Sequence, residues 1–133
     1  RGEVIDRVDE FVRLDIVLVK PPISLSTASV YAACRVPQVP QSIQPVLDAW
    51  SMGEVRRLGR FMFNRLEEAA ATLAPAVRDL CDRLRETNCL GTLMTGSGSC
   101  CFALYRHRKQ AIAVARKLMA ERLGAVFAVH TVA

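Results

Sequence analysis

The chain has 133 residues, of which 51% are hydrophobic and 23% are charged, and 18 Lys and Arg against 13 Asp and Glu give a formal charge of +5. This length and apolar content suit one domain with its own core and exclude a disordered tail or linker. The longest nearly apolar stretch, residues 69–77, is far shorter than the roughly 20 residues of a membrane-spanning helix. We therefore expect no membrane partner.

The sequence contains five cysteines and two histidines, which indicate the redox state of the cellular compartment and whether a metal site is expected. The number of cysteines is odd, no Cys-x-x-Cys pair occurs, and the adjacent Cys100 and Cys101 would point to opposite faces of a strand. This usage favours reduced thiols and a cytoplasmic location. His107 and His130 lack a Cys, Asp or Glu at ligand spacing, so no metal site is expected.

The basic residues are scattered along the sequence, over residues 56–65, residues 106–109 and then Arg116 and Lys117. A positive balance suits anionic ligands or nucleic acid, but the aromatic residues, 6% of the chain, do not alternate with these positions. We interpret the basic segments as solvated helix faces and expect no nucleic-acid partner.

In chain order, the first predicted element is a strand over residues 14–19, an apolar run rich in β-branched residues. A short helix over residues 28–34 follows, and hydroxyl side chains that can cap it precede it. These side chains are Ser24, Ser26 and Thr27. Pro37, Pro40 and Pro45 then indicate a polar connection that is neither regular helix nor central strand.

The next apolar pattern has helical spacing and predicts one helix over residues 52–73 and another over residues 75–84. Two strand-like runs, residues 90–95 and 100–106, flank a connector of Gly and Ser and predict a hairpin.

A helix over residues 110–123 and a strand over residues 126–132 complete the predicted elements. The order β, helices, β, β, α, β is a split βαβ pattern. It predicts an α+β fold: a ferredoxin-like, four-stranded antiparallel sheet with the helices packed on one face.

The connector of the hairpin is the segment best suited to hold a ligand; it consists of Gly96, Ser97, Gly98 and Ser99 and is named the Gly-Ser loop. Glycines at alternate positions permit positive φ, which lets successive backbone N–H groups converge on an anion, and the serine hydroxyls add donors. An ordinary hairpin turn has the same composition and needs no function. The segment is not a Walker loop, because no Gly-Lys-Ser/Thr follows and a strand comes after it.

Residues 95–103, Thr-Gly-Ser-Gly-Ser-Cys-Cys-Phe-Ala, resemble the third sequence motif of the GHMP small-molecule kinases. Three further segments are similar, in the same order, to the C-terminal domain of the 4-diphosphocytidyl-2-C-methyl-D-erythritol kinases. They are Arg1-Gly2-Glu3, like the connection between the domains of those enzymes; residues 17–28, with a strand, a proline and Thr27 before a helix; and the helix signature Asn64-Arg65-Leu66-Glu67.

The resemblance implies that residues 1–133 are a GHMP kinase C-terminal domain and that the N-terminal nucleotide-binding domain lies outside them. The family transfers the γ-phosphoryl group of ATP, with Mg²⁺, to a hydroxyl of the methylerythritol moiety, in isoprenoid precursor synthesis by the non-mevalonate route. The implied partners are the small-molecule substrate and ATP. No catalytic residue, metal or bound cofactor is expected in this chain alone, which should be inactive.

Residue by residue, the resemblance places the Gly-Ser loop near the phosphates and the substrate. Thr27 would contact the polyol end of the substrate or, alternatively, act as an ordinary N-cap. Asn64 and Glu67, and the thiols of Cys100 and Cys101, are expected to serve packing rather than chemistry. Two departures from the family pattern bear on the approach to the Thr27 helix: Pro22 in place of Gly, and Ser29 in place of an acidic residue.

Two alternatives stay open. Another GHMP kinase, of the homoserine or mevalonate type, would share the third motif. A non-catalytic ferredoxin-like module that binds small molecules or RNA is the other alternative. RNA recognition on a sheet uses aromatic residues of one face, and Phe102 and Tyr105 fall on opposite faces under strand alternation.

Overall fold

A computed structural model of the chain describes residues 13–132. Within this range, four strands and six helices follow one another. In chain order they are β1 (Asp15–Lys20), α1 (Thr27–Ala33), α2 (Gln44–Ser51), α3 (Val55–Phe61), α4 (Leu66–Leu73), α5 (Ala76–Arg85), β2 (Gly91–Met94), β3 (Cys101–Tyr105), α6 (Arg108–Ala120) and β4 (Ala125–His130). The segment Arg1-Gly2-Glu3, which carries part of the resemblance, lies outside the described residues.

β1 is an inner strand of a fully antiparallel sheet with the order β2-β3-β1-β4. Its Val17 pairs with Ala103 of β3 on one side and with Ala128 of β4 on the other. The pairing of β1 and β4 continues beyond the strands, because the Thr131 N–H donates to the Leu14 carbonyl at 3.1 Å. The predicted α+β fold with a ferredoxin-like, four-stranded antiparallel sheet is confirmed.

The main core fills the space between one face of the sheet and the helices α1, α4, α5 and α6. Odd-numbered residues of β1 and β3, such as Val17 and Ala103, supply the sheet side, because alternate side chains of a strand point to opposite faces. The buried helix residues share helical spacing: Val77, Leu80, Cys81 and Leu84 on α5, and Ala111, Ala115 and Leu118 on α6. Burial of each Leu or Val contributes about 1.5–3 kcal/mol, so these stripes hold the two longest helices to the sheet.

The opposite face of the sheet carries a smaller core, which α2 and α3 build. Its buried members are Leu14, Ala49, Leu58 and Leu104. The expectation that the helices pack on one face therefore holds for α1, α4, α5 and α6 and is wrong for α2 and α3. The physical reason is that even-numbered positions such as Ile16 and Leu104 are also apolar and require cover on their own side.

The single helix predicted over residues 52–73 is wrong, because α3 ends at Phe61 and α4 begins at Leu66. Leu58 of α3 belongs to the smaller core and Ala69 of α4 to the main core, on opposite faces of the sheet. One straight helix cannot pack on both faces, so the chain leaves helical geometry between them. The apolar residues keep helical spacing across this break, so the sequence pattern does not reveal that the helix ends there.

The proline-rich connection contains a helix, α2. Pro45 lies in its first turn, where a missing N–H costs no intrahelical hydrogen bond. The Gln44 N–H, just before it, donates to Ser42 Oγ at 3.1 Å. The prediction of an irregular connection is thus correct at Pro37 and Pro40 and wrong at Pro45.

The two aromatic residues of β3 are separated by the sheet. Tyr105 is buried in the main core, whereas Phe102 packs against the smaller one, so they lie on opposite faces as expected. Over residues 13–132, no helix has the length and apolar character needed to cross a membrane.

Candidate functional site

The Gly-Ser loop closes the β2–β3 hairpin. Gly96 and Gly98 take positive φ, +56° and +88°, a region that costs other L-residues about 1–2 kcal/mol. The Thr95 N–H donates to the Cys100 carbonyl at 2.9 Å, and the Gly98 N–H donates to the Thr95 carbonyl at 3.0 Å. In the described part of the chain, the amides of Gly96 and Ser97 have no acceptor, so both can donate to an anion.

The fold brings Thr27 to this loop. Thr27 Oγ1 lies 2.9 Å from Ser97 Oγ, although 70 residues separate the two in sequence. Thr27 is exposed at the start of α1, and Ser97 is half-buried. Each hydroxyl has one donor and two acceptor positions, so the pair can bind a further polar group. The two segments that the sequence marked for ligand contact are therefore adjacent.

The alternative that Thr27 is the N-cap of α1 is wrong. Ser26 is the N-cap residue, with extended backbone angles, and its Oγ accepts from the Ser29 N–H at 3.3 Å. Thr27 is the first helical residue, and its hydroxyl contacts Ser97 instead of the helix terminus.

Two side chains at the start of α4 hold the loop and its strand. Asn64 Nδ2 donates to the carbonyls of Met94 and Gly96, both at 2.8 Å, while Asn64 Oδ1 accepts from the Leu66 N–H at 3.0 Å. Glu67 Oε2 accepts from the Met94 N–H at 2.8 Å. Asn64 and Glu67 thus hold the backbone of the loop and of β2 through hydrogen bonds, and the expectation that they serve packing rather than chemistry stays a prediction. Sequence reasoning missed that the structure they hold is the Gly-Ser loop, since no local pattern reports a contact between such distant segments.

The second half of the loop is fixed to the interior. Ser99 is 7% exposed, and its hydroxyl donates to the Ile23 carbonyl at 2.7 Å, which ties the loop to the segment between β1 and α1. Gly98 is closely packed, because a Cβ there would lie 2.6 Å from Met94 Sδ. Gly96 and Ser97 are thus the accessible positions of the loop, and Gly98 and Ser99 anchor it.

A cavity of about 720 Å³ lies beside Asn64. It lies between α4 and the chain that follows α1, and Asn64 contributes both to its wall and to the hydrogen bonds of the loop. Arg35 and Arg65 bring positive charge to the wall, and Glu68 brings negative charge. This volume suits a small organic molecule.

Both cysteines that follow the loop, Cys100 and Cys101, have pKa values above that of an ordinary thiol. Cys101 Sγ lies 3.4 Å from Cys81 Sγ, and this neighbouring thiol together with burial raises the pKa of Cys101. Burial also raises the pKa of Cys100. Both shifts favour the protonated thiol, which is the weaker nucleophile. Residues 13–132 contain no group of three His, Cys, Asp or Glu side chains placed to bind a metal ion.

Known proteins resemble this chain in sequence and in fold. The sequence pattern described as "GHMP kinases C terminal" matches residues 46–125, more than half of the chain. A 4-diphosphocytidyl-2-C-methyl-D-erythritol kinase of Pelotomaculum thermopropionicum is 34% identical over 119 residues, which cover 88% of this chain and 42% of the relative. The chain spans about two fifths of the length of the curated relatives it matches.

Solved structures agree with the fold. A crystal structure of 4-(cytidine 5'-diphospho)-2C-methyl-D-erythritol kinase superposes with a TM-score of 0.72 at 29% identity, covering 89% of this chain and 42% of that chain. Homoserine kinase from Cytophaga hutchinsonii superposes with a TM-score of 0.73 at 16% identity, covering 96% of this chain and 44% of that chain, which is a likeness of fold alone. With the family pattern matched over residues 46–125, the chain belongs to the GHMP kinases and carries their C-terminal domain.

Proposed function

We propose that the chain is the substrate-side, C-terminal domain of an ATP-dependent kinase that phosphorylates a hydroxyl of 4-diphosphocytidyl-2-C-methyl-D-erythritol. The observation that carries the proposal is the 2.9 Å contact between Thr27 Oγ1 and Ser97 Oγ, which joins two segments of the family resemblance at one point. The similarity to kinases of that name, at 34% and 29% identity, supports this substrate.

In the proposed reaction, the substrate hydroxyl oxygen forms a bond to the γ-phosphorus of ATP while the bond from that phosphorus to the β–γ bridging oxygen breaks. Charge spreads over the oxygens of the transferred group, and catalysis consists largely of positioning and electrostatic stabilisation. The amides of Gly96 and Ser97, in a turn of positive φ, supply donors to such oxygens. No base for the hydroxyl proton is assigned to this chain; a nucleotide-binding N-terminal domain upstream would supply it.

The side chains of the site divide into two roles under this proposal. The hydroxyls of Thr27 and Ser97 hold the acceptor molecule beside the phosphates. Asn64, Glu67 and Ser99 are positioning residues, because each bonds the backbone of the loop, of its strand or of the neighbouring segment.

ATP and Mg²⁺ are the cofactors that the proposed reaction requires. The free amides of the Gly-Ser loop fit the phosphates of ATP. Residues 13–132 offer no cluster of carboxylates for Mg²⁺, so no step is assigned to the metal on this chain.

The test uses the complete reading frame that contains this chain, because the curated relatives are more than twice as long. The purified protein is incubated with γ-labelled ATP and, in separate reactions, with 4-diphosphocytidyl-2-C-methyl-D-erythritol, homoserine and mevalonate. The proposal expects transfer to the first acceptor alone. Transfer to homoserine or mevalonate alone would establish another GHMP kinase type, and no transfer together with no ATP binding would establish a non-catalytic module.

The hydroxyl pair is tested in the same protein with Ser97→Ala and Thr27→Val. Each variant is expected to lower kcat/KM about tenfold, which corresponds to about 1.4 kcal/mol of transition-state stabilisation. Ser51→Ala is the matched control, since its hydroxyl lies on α2 and bonds only the Asp48 carbonyl. Turnover equal to that of the control would remove the pair from the mechanism.

A further inference from the structure

The end of the hairpin opposite the Gly-Ser loop holds a cavity of about 490 Å³. At this end the Leu90 N–H bonds the Leu104 carbonyl and Arg106 follows β3. A rise of about 3.4 Å per strand residue therefore places the cavity about 17 Å from the loop. Four arginines line it: Arg56, Arg57 and Arg60 from α3, and Arg106. They belong to two separate basic segments of the sequence, which the fold brings together.

Most of the arginines around this cavity are not paired with an acidic side chain of the described residues. Glu54, the acidic residue of the lining, forms an ion pair with Arg57 at 3.1 Å. The other three arginines form no ion pair or side-chain hydrogen bond with any residue that the structure describes. Arg56 and Arg60 are also one helical turn apart, a spacing at which like charges repel.

Backbone contact holds the helix that carries these arginines. A Cβ on Gly59 would lie 2.3 Å from the Leu90 carbonyl oxygen, and one on Gly91 would lie 2.4 Å from the Gly59 carbonyl oxygen, so α3 and β2 touch through their backbones. Leu58, on the same helix, is buried in the smaller core. Arg56, Arg57 and Arg60 are therefore carried by a fixed helix, and Val55 and Leu90 form an apolar part of the same lining.

We propose that this cavity binds a small anion that carries two or three linked phosphates. A guanidinium presents its N–H donors as a planar fork that matches phosphate oxygens. Four arginines line this cavity, and their combined positive charge exceeds the negative charge of a single carboxylate or phosphate. Val55 and Leu90 provide an apolar surface for an uncharged part of the ligand. A cavity of this size holds one small molecule, whereas strand binding uses a longer basic groove with stacked aromatic residues.

This site is separate in position from the Gly-Ser loop, because the two lie at opposite ends of the hairpin. Binding would neutralise the repulsion among the arginines and would raise the stability of the fold with the logarithm of the ligand concentration, once that concentration exceeds the Kd.

The test is a calorimetric titration of the 133-residue chain with inorganic tripolyphosphate at physiological ionic strength. One saturable site per chain is expected. Arg56→Gln/Arg60→Gln should weaken binding about tenfold or more, since it removes two of the forks. The matched control, Arg78→Gln/Arg116→Gln, removes the same charge from exposed positions on α5 and α6 and should leave the affinity within about twofold.

Equal weakening by the two double variants, or no saturable binding of tripolyphosphate, would overturn the proposal. Tight binding of a short single-stranded RNA that tripolyphosphate fails to displace would overturn it as well, because the arginines would then serve a nucleic acid. Circular dichroism verifies that each variant is folded. If Arg56→Gln/Arg60→Gln does not fold, Arg106→Gln, which lies outside the helices, repeats the measurement with the same expected direction.

Discussion

The two ends of the β2–β3 hairpin are organised in opposite ways. At the loop end, the polar side chains of Asn64, Glu67 and Ser99 bond backbone groups at short range, so the loop has its shape before any ligand arrives. At the other end, Arg56 and Arg106 have no ionic partner among the described residues. The geometry of the Gly-Ser loop is therefore set by hydrogen bonds within the chain, whereas the charge of the proposed anion site would be balanced by its ligand.

The largest difference between the two ends should appear when a methyl group is added to each. Gly91→Ala should lower the free energy of unfolding by about 3 kcal/mol, because its Cβ would lie 2.4 Å from the Gly59 carbonyl oxygen. At Gly96 a Cβ meets nothing within 4 Å, so Gly96→Ala should cost only about 1 kcal/mol through its positive φ. Urea unfolding monitored by Trp50 fluorescence measures both. Equal losses would show that α3 is not pressed against β2.

At the loop end, the hydrogen-bond donors of Asn64 should matter more than the charge of Glu67. Asn64→Asp should cost about 2 kcal/mol, because a carboxylate cannot donate to the carbonyls of Met94 and Gly96 and faces them as a like partial charge. Glu67→Gln should cost less than about 1 kcal/mol, since Gln keeps an oxygen acceptor for the Met94 N–H. The same urea titration compares them, and the reverse order would contradict the assigned anchoring.

A smaller effect separates the two hydroxyls at the start of α1. Ser26→Ala should destabilise the fold by about 1 kcal/mol through loss of the N-cap. Thr27→Val should change stability by less than about 0.5 kcal/mol, because its hydrogen bond to Ser97 is exposed. Thermal unfolding of the two variants measures both losses of stability. A larger loss for Thr27→Val than for Ser26→Ala would show that Thr27, and not Ser26, caps α1.

At the end of β3, in the main core, Tyr105 gives the stability of the fold a pH dependence that appears only in alkali. Tyr105 bonds the Thr87 hydroxyl, and burial raises the pKa of Tyr105 from 10 to about 12. Between these pH values the unfolded chain releases the phenolic proton while the folded chain retains it, so the free energy of unfolding falls as the pH rises. Tyr105→Phe should show a shallower decline from pH 10 to 12. Parallel declines in the two proteins would contradict the shift.

Local patterns predicted the strands and the Gly-Ser loop because their causes are local. The apolar run before Pro21 reports a strand buried on both faces, and the alternating glycines report a turn of positive φ. The break between α3 and α4 was not predictable, since the apolar spacing is uninterrupted and only the position of the sheet requires the chain to change sides.

The site was predicted in its parts but not in its assembly. Thr27 and Ser97 were each singled out, yet their 2.9 Å contact depends on how α1 packs beside the hairpin. The role of Asn64 depends in the same way on the long-range placement of α4. The cavity lined by Arg60 and Arg106 was missed altogether, because two basic segments distant in sequence read as separate solvated surfaces.

The position of β1 in the sheet has a consequence for biosynthesis. Among the described strands β1 is made first, but its partners β3 and β4 come from the last part of the chain. The growing polypeptide therefore carries the apolar Val17 and Val19 without strand partners until β3, which begins at Cys101, has been made. Such long-range pairing slows folding, and until it forms the apolar strand is exposed and prone to aggregation. We expect a nascent chain arrested before β3 to bind chaperones that recognise extended apolar segments, and a chain extended through β4 to release them.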